Sequence, residues 1–133
     1  MLFGGEHVQR YLDTDGAEGH DWQGTSVLLL TTTGRRTGLP RDKALIYGRD
    51  GDAYLVVASN GGADESPYWY HNLVADPDVL VQVKGEKFTA RARTADAAEK
   101  ARLWPTMVAE WPSYADYQDK TDRDIPVVIL ERT

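Results

Sequence analysis

Short segments of β character succeed one another along this chain without the regular alternation of strand and helix that builds a parallel sheet. Ser26–Thr33 reads as a buried strand, broken by Gly34–Pro40 with two glycines and a proline. Lys43–Gly48 and Ala53–Ser59 read as a hairpin turned at Asp50-Gly51, a pair favoured in two-residue turns. Val79, Val81 and Val83 alternate with Leu80, Gln82 and Lys84. After Gly85, Phe88, Ala90 and Ala92 alternate with Thr89, Arg91 and Arg93, again the period of half-buried strands. Ile125–Glu131 is a last strand. About six strands in this order favour a mainly β fold, an antiparallel barrel with two or three added helices.

The helices are marked by local chemistry. Glu6–Leu12 turns Val8, Tyr11 and Leu12 to one side, and polar Asp13–Gly24, carrying His20 and Trp22, follows as a loop. Ser66 reads as an N-cap with Pro67 at the first helical position, starting a helix over Tyr68–Ala75 that stops before Asp76-Pro77. Thr94 or Asp96 caps another helix, with Ala101, Trp104, Val108 and Trp111 as its apolar stripe and Pro105 expected to kink or restart it. Tyr114–Thr121 is a short polar-aromatic segment. No repeat or linker interrupts the 133 residues, so residues 1–133 form one domain, an N-terminal helix and loop over 1–24 and a barrel core over 25–133.

Charge and motifs narrow the function. Asp plus Glu number 21 against 15 Lys plus Arg, and a net charge of −6 argues against nucleic acid as a partner. With no cysteine there is no disulfide or thiolate chemistry, which suits a reducing cytoplasm. The first ten residues lack the order of a signal peptide, and the apolar runs Val27–Leu30, Leu55–Ala58 and Val127–Leu130 fall far short of the ~20 residues that span a bilayer. No G-x-G-x-x-G, P-loop, H-E-x-x-H or G-x-S-x-G is present, and His7, His20 and His71 are scattered. Redox chemistry, if any, is carried by a borrowed cofactor.

Three constellations remain. Gly34 to Lys43 contains Arg35, Arg36, Arg41 and Lys43 against one Asp42, a local +3 that leaves −9 for the rest of the chain. It reads as a solvated loop or as an anion socket, in which glycines let the backbone approach and arginines grip phosphate or carboxylate. Val57-Ala58-Ser59-Asn60-Gly61-Gly62 ends a strand in small residues beside the aromatic Tyr68-Trp69-Tyr70-His71-Asn72, either a tight turn with core aromatics or a seat for a planar ring. Trp111, Tyr114 and Tyr117 stand three apart and would share a helical face, as core or as the wall of a cleft.

Together these residues resemble the deazaflavin-dependent nitroreductase family, small split-β-barrel proteins of FMN-binding-like fold that use coenzyme F-420. The resemblance runs from roughly Thr25 to Val128, on LLLTTTGRRTGLPR, VVASNGG, PYWYHNLVADPDV and YADYQDKTDRDIPVV in order. It implies hydride transfer from reduced deazaflavin to a quinone, enone or nitroaromatic acceptor. It implies that Arg35, Arg36, Thr37 and Arg41 hold the phosphate and glutamate tail, with Asp42, Lys43, Ala44, Leu45 and Ile46 lining the same groove. Val57, Ala58, Ser59 and Asn60, with Tyr68, Trp69, Tyr70, His71 and Asn72, would surround the cofactor. Tyr114 would touch the deazaflavin and, with Tyr117, Trp111 and Ser59, face the acceptor as the catalytic group.

Two positions depart from that pattern. Asn60 stands where many relatives have a basic residue, and Trp111 where nitro-drug reductases have a third tyrosine. An FMN-dependent split barrel, or a non-catalytic carrier of deazaflavin or a lipid-like anion, are the alternatives. A quinone acceptor would bring the protein into transient contact with the bilayer surface, so the expected place is cytoplasmic or membrane-peripheral. Monomer and homodimer both remain open.

Overall fold

The computed structural model describes Leu2 to Thr133. Helix α1 (Gly4–Thr14) leads into strands β1 (Asp21–Trp22), β2 (Thr25–Thr33), β3 (Pro40–Ile46), β4 (Gly48–Asp50) and β5 (Ala53–Val57). A 3-10 turn (Asn60–Gly62), helix α2 (Tyr68–Ala75), β6 (Asp78–Val83) and β7 (Glu86–Thr94) follow. The chain ends with α3 (Ala97–Glu110), α4 (Ser113–Asp119) and β8 (Val127–Arg132). Every ladder is antiparallel, in the order β1-β2-β6-β7-β8-β5-β4, with β3 on β2.

The barrel is split because one ribbon joins both edges without pairing to both along its length. β3 pairs with β2 from Val27↔Ile46 to Thr33↔Pro40. Tyr47 alone links it to β4, which pairs with β5 only over Gly48–Asp50. Between β3 and the end of β5 there is no ladder among the described residues, and the sheet parts there.

The continuous apolar runs are explained by burial on both faces. Leu28, Leu30, Tyr54, Val56, Val128 and Leu130 point into the barrel with Trp69 and Leu73 of α2. Their neighbours Leu55, Val57, Val127 and Ile129 point outward under Leu103 and Met107 of α3 and Tyr114 of α4. Val27 and Leu29 face Tyr11 of α1. Burying a side chain of this size contributes about 1.5–3 kcal/mol, so all three faces hold the sheet in register.

The fold is the expected split barrel, richer in elements: eight strands, two of them of two or three residues, and four α-helices. Several local expectations are corrected. Of the expected Lys43–Gly48 partner of Ala53–Ser59 only Gly48 pairs there; Lys43–Ile46 folds back on β2, because the Gly34–Leu39 turn closes through Gly34 N–H to Leu39 C=O at 2.8 Å. The β4–β5 loop residues are Gly51 and Asp52, with Gly51 at φ +59°, rather than Asp50-Gly51. Pro67 is itself the extended residue before α2, and Ser66 makes no cap. Its hydroxyl accepts instead from Arg123 at 3.3 Å.

Asp96, not Thr94, caps α3, in a reciprocal capping box with Glu99. The helix runs unbroken through Pro105. Its fully buried line is Leu103 and Met107; Trp104, Val108 and Trp111 pack against the same cluster as expected, and Ala101 is exposed. The line is set by Gly48, where a Cβ would meet Met107 Sδ at 2.6 Å, so the strand admits Met107 there. Polar Asp13–Gly24 also contains a strand: Asp21 and Trp22 pair with Ser26 and Thr25. The segment after Pro112 is helical, so Tyr114 and Tyr117 ride on α4 and Trp111 stands at the corner before it.

Candidate functional site

The parting between β3 and β5 opens into a groove of about 570 Å³, within the usual range for small-molecule sites. Lys43, Ala44, Leu45 and Ile46 form one wall, and Val57, Ser59, Asn60 and Gly61 the other. Ser66, Pro67, Tyr68 and Trp69 close it at the start of α2, and Trp111, Tyr114 and Tyr117 at the α3–α4 corner. The remaining boundary is N-terminal: Leu2, Phe3, Gly4, His7, Trp22 and Val27.

The aromatic end is interlocked. Trp22 and Trp111 lie with ring centroids 5.7 Å apart, Phe3 meets Trp22 edge-on at 5.7 Å, and Trp22 Nε1 donates to Leu2 C=O at 2.8 Å. His7, buried beneath them, is fixed to Gly19 C=O through Nε2 at 2.7 Å. Trp111 Nε1 donates to Tyr117 Oη at 3.4 Å. Tyr114 is 6% exposed, and burial, reinforced by Tyr117 and Glu110, pushes its phenol well above the ordinary tyrosine range. Tyr114 lines the groove, and a phenol held that high keeps its proton at neutral pH.

The basic island lies on the strand that forms the groove wall. Arg35, Arg36, Thr37, Arg41 and Asp42 are exposed and stand outside the groove wall. None of Arg35, Arg36, Arg41 or Lys43 is ion-paired within the described chain. Asp42, the one acid among them, accepts from Thr31 Oγ1 at 2.6 Å. The loop is pinned by buried Asn72, whose Oδ1 accepts from Arg35 N–H at 3.1 Å while Nδ2 donates to Thr32 Oγ1 at 3.1 Å. Asn72 thus sits behind the island rather than in the groove.

Three further expected contacts point elsewhere. Tyr70 shares a hydrogen bond with Thr94 at 2.8 Å, and His71 bonds Glu65 at 2.9 Å. Ala58 is wholly buried. The residues that sequence reasoning missed are Phe3, His7 and Trp22, and Arg123 beneath the Ser59–Ser66 loop. Trp22 carried a signal, an isolated tryptophan in a polar loop. Arg123 carried none, being one cation among Asp122 and Asp124.

The chemistry of the lining fits a flat, partly apolar ring with an acidic tail. The walls mix aliphatic and aromatic side chains with Lys43, Ser59, Asn60 and Ser66, and further unpaired cations stand on the adjoining strand and loop. The family model for F420H(2)-dependent quinone reductase matches residues 4–132. An F420H(2)-dependent quinone reductase of Mycobacterium tuberculosis is 46% identical over 130 residues, 95% of this chain and 87% of that protein. A domain-swapped dimer of known structure is similar with a TM-score of 0.77 at 38% identity, covering 95% of each chain. The structure of an F420-H2 dependent reductase is similar with a TM-score of 0.74 at 40% identity, covering 79% of this chain and 93% of that one. The chain belongs to the F420H(2)-dependent quinone reductase family.

Proposed function

We propose that this chain reduces a quinone with reduced coenzyme F-420, and that the groove between β3 and β5 is where the two meet. The observation that carries the reading is the groove's polarity: one end walled by Trp22, Trp111, Tyr114 and Tyr117, and four cations without a carboxylate partner among the described residues on β3 and the loop before it. The bound coenzyme supplies a hydride from its deazaflavin ring.

In this reading Arg35, Arg36, Arg41 and Lys43 hold the acidic tail, and Asn72 keeps their loop in register with α2. Leu45, Ile46, Val57 and Trp69 give the ring an apolar seat. Ser59 and Asn60 border that seat on the β5 side. Tyr114 and Tyr117 face the acceptor, and the protonated Tyr114 hydroxyl donates to the acceptor oxygen where negative charge develops. Trp22, Phe3 and Trp111 exclude water and confine a planar acceptor. Donor and acceptor carbons must lie about 3–3.5 Å apart, so orientation is the main contribution of the chain. A homodimer is the assembly that the related domain-swapped structure supports, and sedimentation equilibrium measures it.

Titration with oxidised F-420 and, separately, with FMN, followed by fluorescence, tests the cofactor assignment. Saturable F-420 binding that weakens as salt rises is expected, because exposed cations are screened beyond about 8 Å at physiological ionic strength. Tight FMN binding with no response to F-420 would overturn it.

A further inference from the structure

Arg123 follows α4 in the YADYQDKTDRDIPVV segment, yet its side chain makes no ion pair with a carboxylate among the described residues. It turns under the loop that borders the groove. Nε donates to Ala63 C=O at 2.7 Å, and Nη2 to Ser59 C=O at 2.7 Å and Ala58 C=O at 3.2 Å. Nη1 reaches Ala58 C=O and Ser66 Oγ, both at 3.3 Å. One guanidinium thus gathers three carbonyls and a hydroxyl from both ends of the Ala58–Ser66 loop.

Its own backbone is clamped in turn to α4. Gln118 Nε2 donates to Arg123 C=O at 2.8 Å, and Arg123 N–H donates to Thr121 Oγ1 at 3.3 Å. Thr121 Oγ1 donates to Asp64 at 2.8 Å, tying the loop to the same segment a second time. Gly62 lies so close to α4 that a Cβ would sit 2.8 Å from Tyr117 C=O, a backbone approach open only to glycine. The Ser59–Gly61 wall and the helix bearing Tyr114 and Tyr117 are therefore one hydrogen-bonded body, with Arg123 at its centre.

We infer that Arg123 is a positioning residue, acting through the Ala58–Ser66 loop to fix the cofactor-side wall of the groove relative to Tyr114 and Tyr117. This rests on the reading of the groove as the F-420 and quinone site. The physical reason is the donor set. Carbonyls that converge at one point repel and, when buried as at Ala58, cost free energy if left unpaired. Only a planar fork with five N–H donors spans Ala58, Ser59, Ala63 and Ser66 at once; a lysine ammonium is a point charge that meets one or two of them.

The test compares wild type with Arg123→Lys, which keeps the charge, and with Thr121→Val, which keeps the shape of its side chain and removes the second tie. Amide hydrogen exchange is measured on the protein without cofactor, and turnover with reduced F-420 and menadione. Expected for Arg123→Lys is faster exchange confined to residues 58–66 and a kcat about tenfold lower, the scale on which small misplacements act, with little change in the KM for F-420. Thr121→Val should move both in the same direction by less. Wild-type kcat in Arg123→Lys, or a raised KM for F-420 at unchanged kcat, would overturn the inference. So would faster exchange spread evenly over β2, β6, β7 and β8. If wild type itself binds F-420 but does not turn over, the parent reading fails; the exchange result still decides whether Arg123 orders the loop.

Discussion

Two sets of cations in this molecule are built in opposite ways. On the outer face of β7 and α3 each arginine has its carboxylate: Arg93 bonds Glu131 at 2.7 Å and Glu99 at 2.8 Å, and Arg102 holds both oxygens of Asp50 at 3.0 and 3.1 Å. The hydrogen bond from Arg93, with that from the Asp96 backbone, draws the Glu99 carboxyl down to about 2. In the island, Arg35, Arg36, Arg41 and Lys43 have no such partner in a chain with acids in excess. Nothing in the packing of the fold asks for those four charges, and their mutual repulsion opposes the loop. The paired set serves the sheet and helix; the unpaired set is the one proposed to take the coenzyme's acidic tail.

The sharpest way to break that contrast is to remove the island. Replacing Arg36 and Arg41 together by Ala should weaken F-420 binding by about 100-fold or more, since charge-assisted contacts contribute about 1.5–3 kcal/mol each. Unchanged affinity would make the island mere solvated surface. Next in size, Tyr114→Phe should lower kcat roughly 10- to 100-fold while affinity for F-420 holds, as expected of a donor used at the transition state. Wild-type kinetics would remove Tyr114 from the mechanism.

Asn72→Ala leaves Thr32 and the Arg35 N–H without their buried partner and should cost about 1–3 kcal/mol of stability, read from the urea midpoint, with a smaller loss of affinity. On the paired side, Arg102→Ala should leave F-420 affinity unchanged. Glu99→Gln should lower Tm above pH 4.5 and lose that effect in acid. A carboxyl held at about 2, below its ordinary 4.5, contributes stability above pH 4.5 that is lost as pH falls toward 2. The variant should therefore show a shallower fall in Tm across that window, and an identical fall would remove Glu99 from the account.

The sequence made the strands legible where burial alternates, as at Val79–Val83 and Phe88–Ala92, and where runs are buried on both faces, as at Val27–Leu30. It misled where pairing is non-local. Lys43–Gly48 and Ala53–Ser59 look like a hairpin, but the Gly34–Leu39 turn claims Pro40–Ile46 for β2, and local pattern carries no information about which edge wins. That choice also creates the groove. The island, the Ser59–Asn60 edge and the Trp111–Tyr117 wall stood out in the sequence as chemistry without a place. Phe3 and Trp22 join them only through tertiary contact across β1, and Arg123 acquires its role through carbonyls, which every residue has and no motif marks.

In the proposed function a groove of this polarity passes a hydride between two bound molecules. The most direct measurement is anaerobic mixing of the protein with reduced F-420 and menadione, following the return of oxidised F-420. Acceptor-dependent reoxidation that requires the protein, and slows when Arg36 and Arg41 are replaced at subsaturating F-420, is the predicted result. Binding of F-420 without reoxidation by any quinone offered would contradict it and leave a carrier in place of an enzyme.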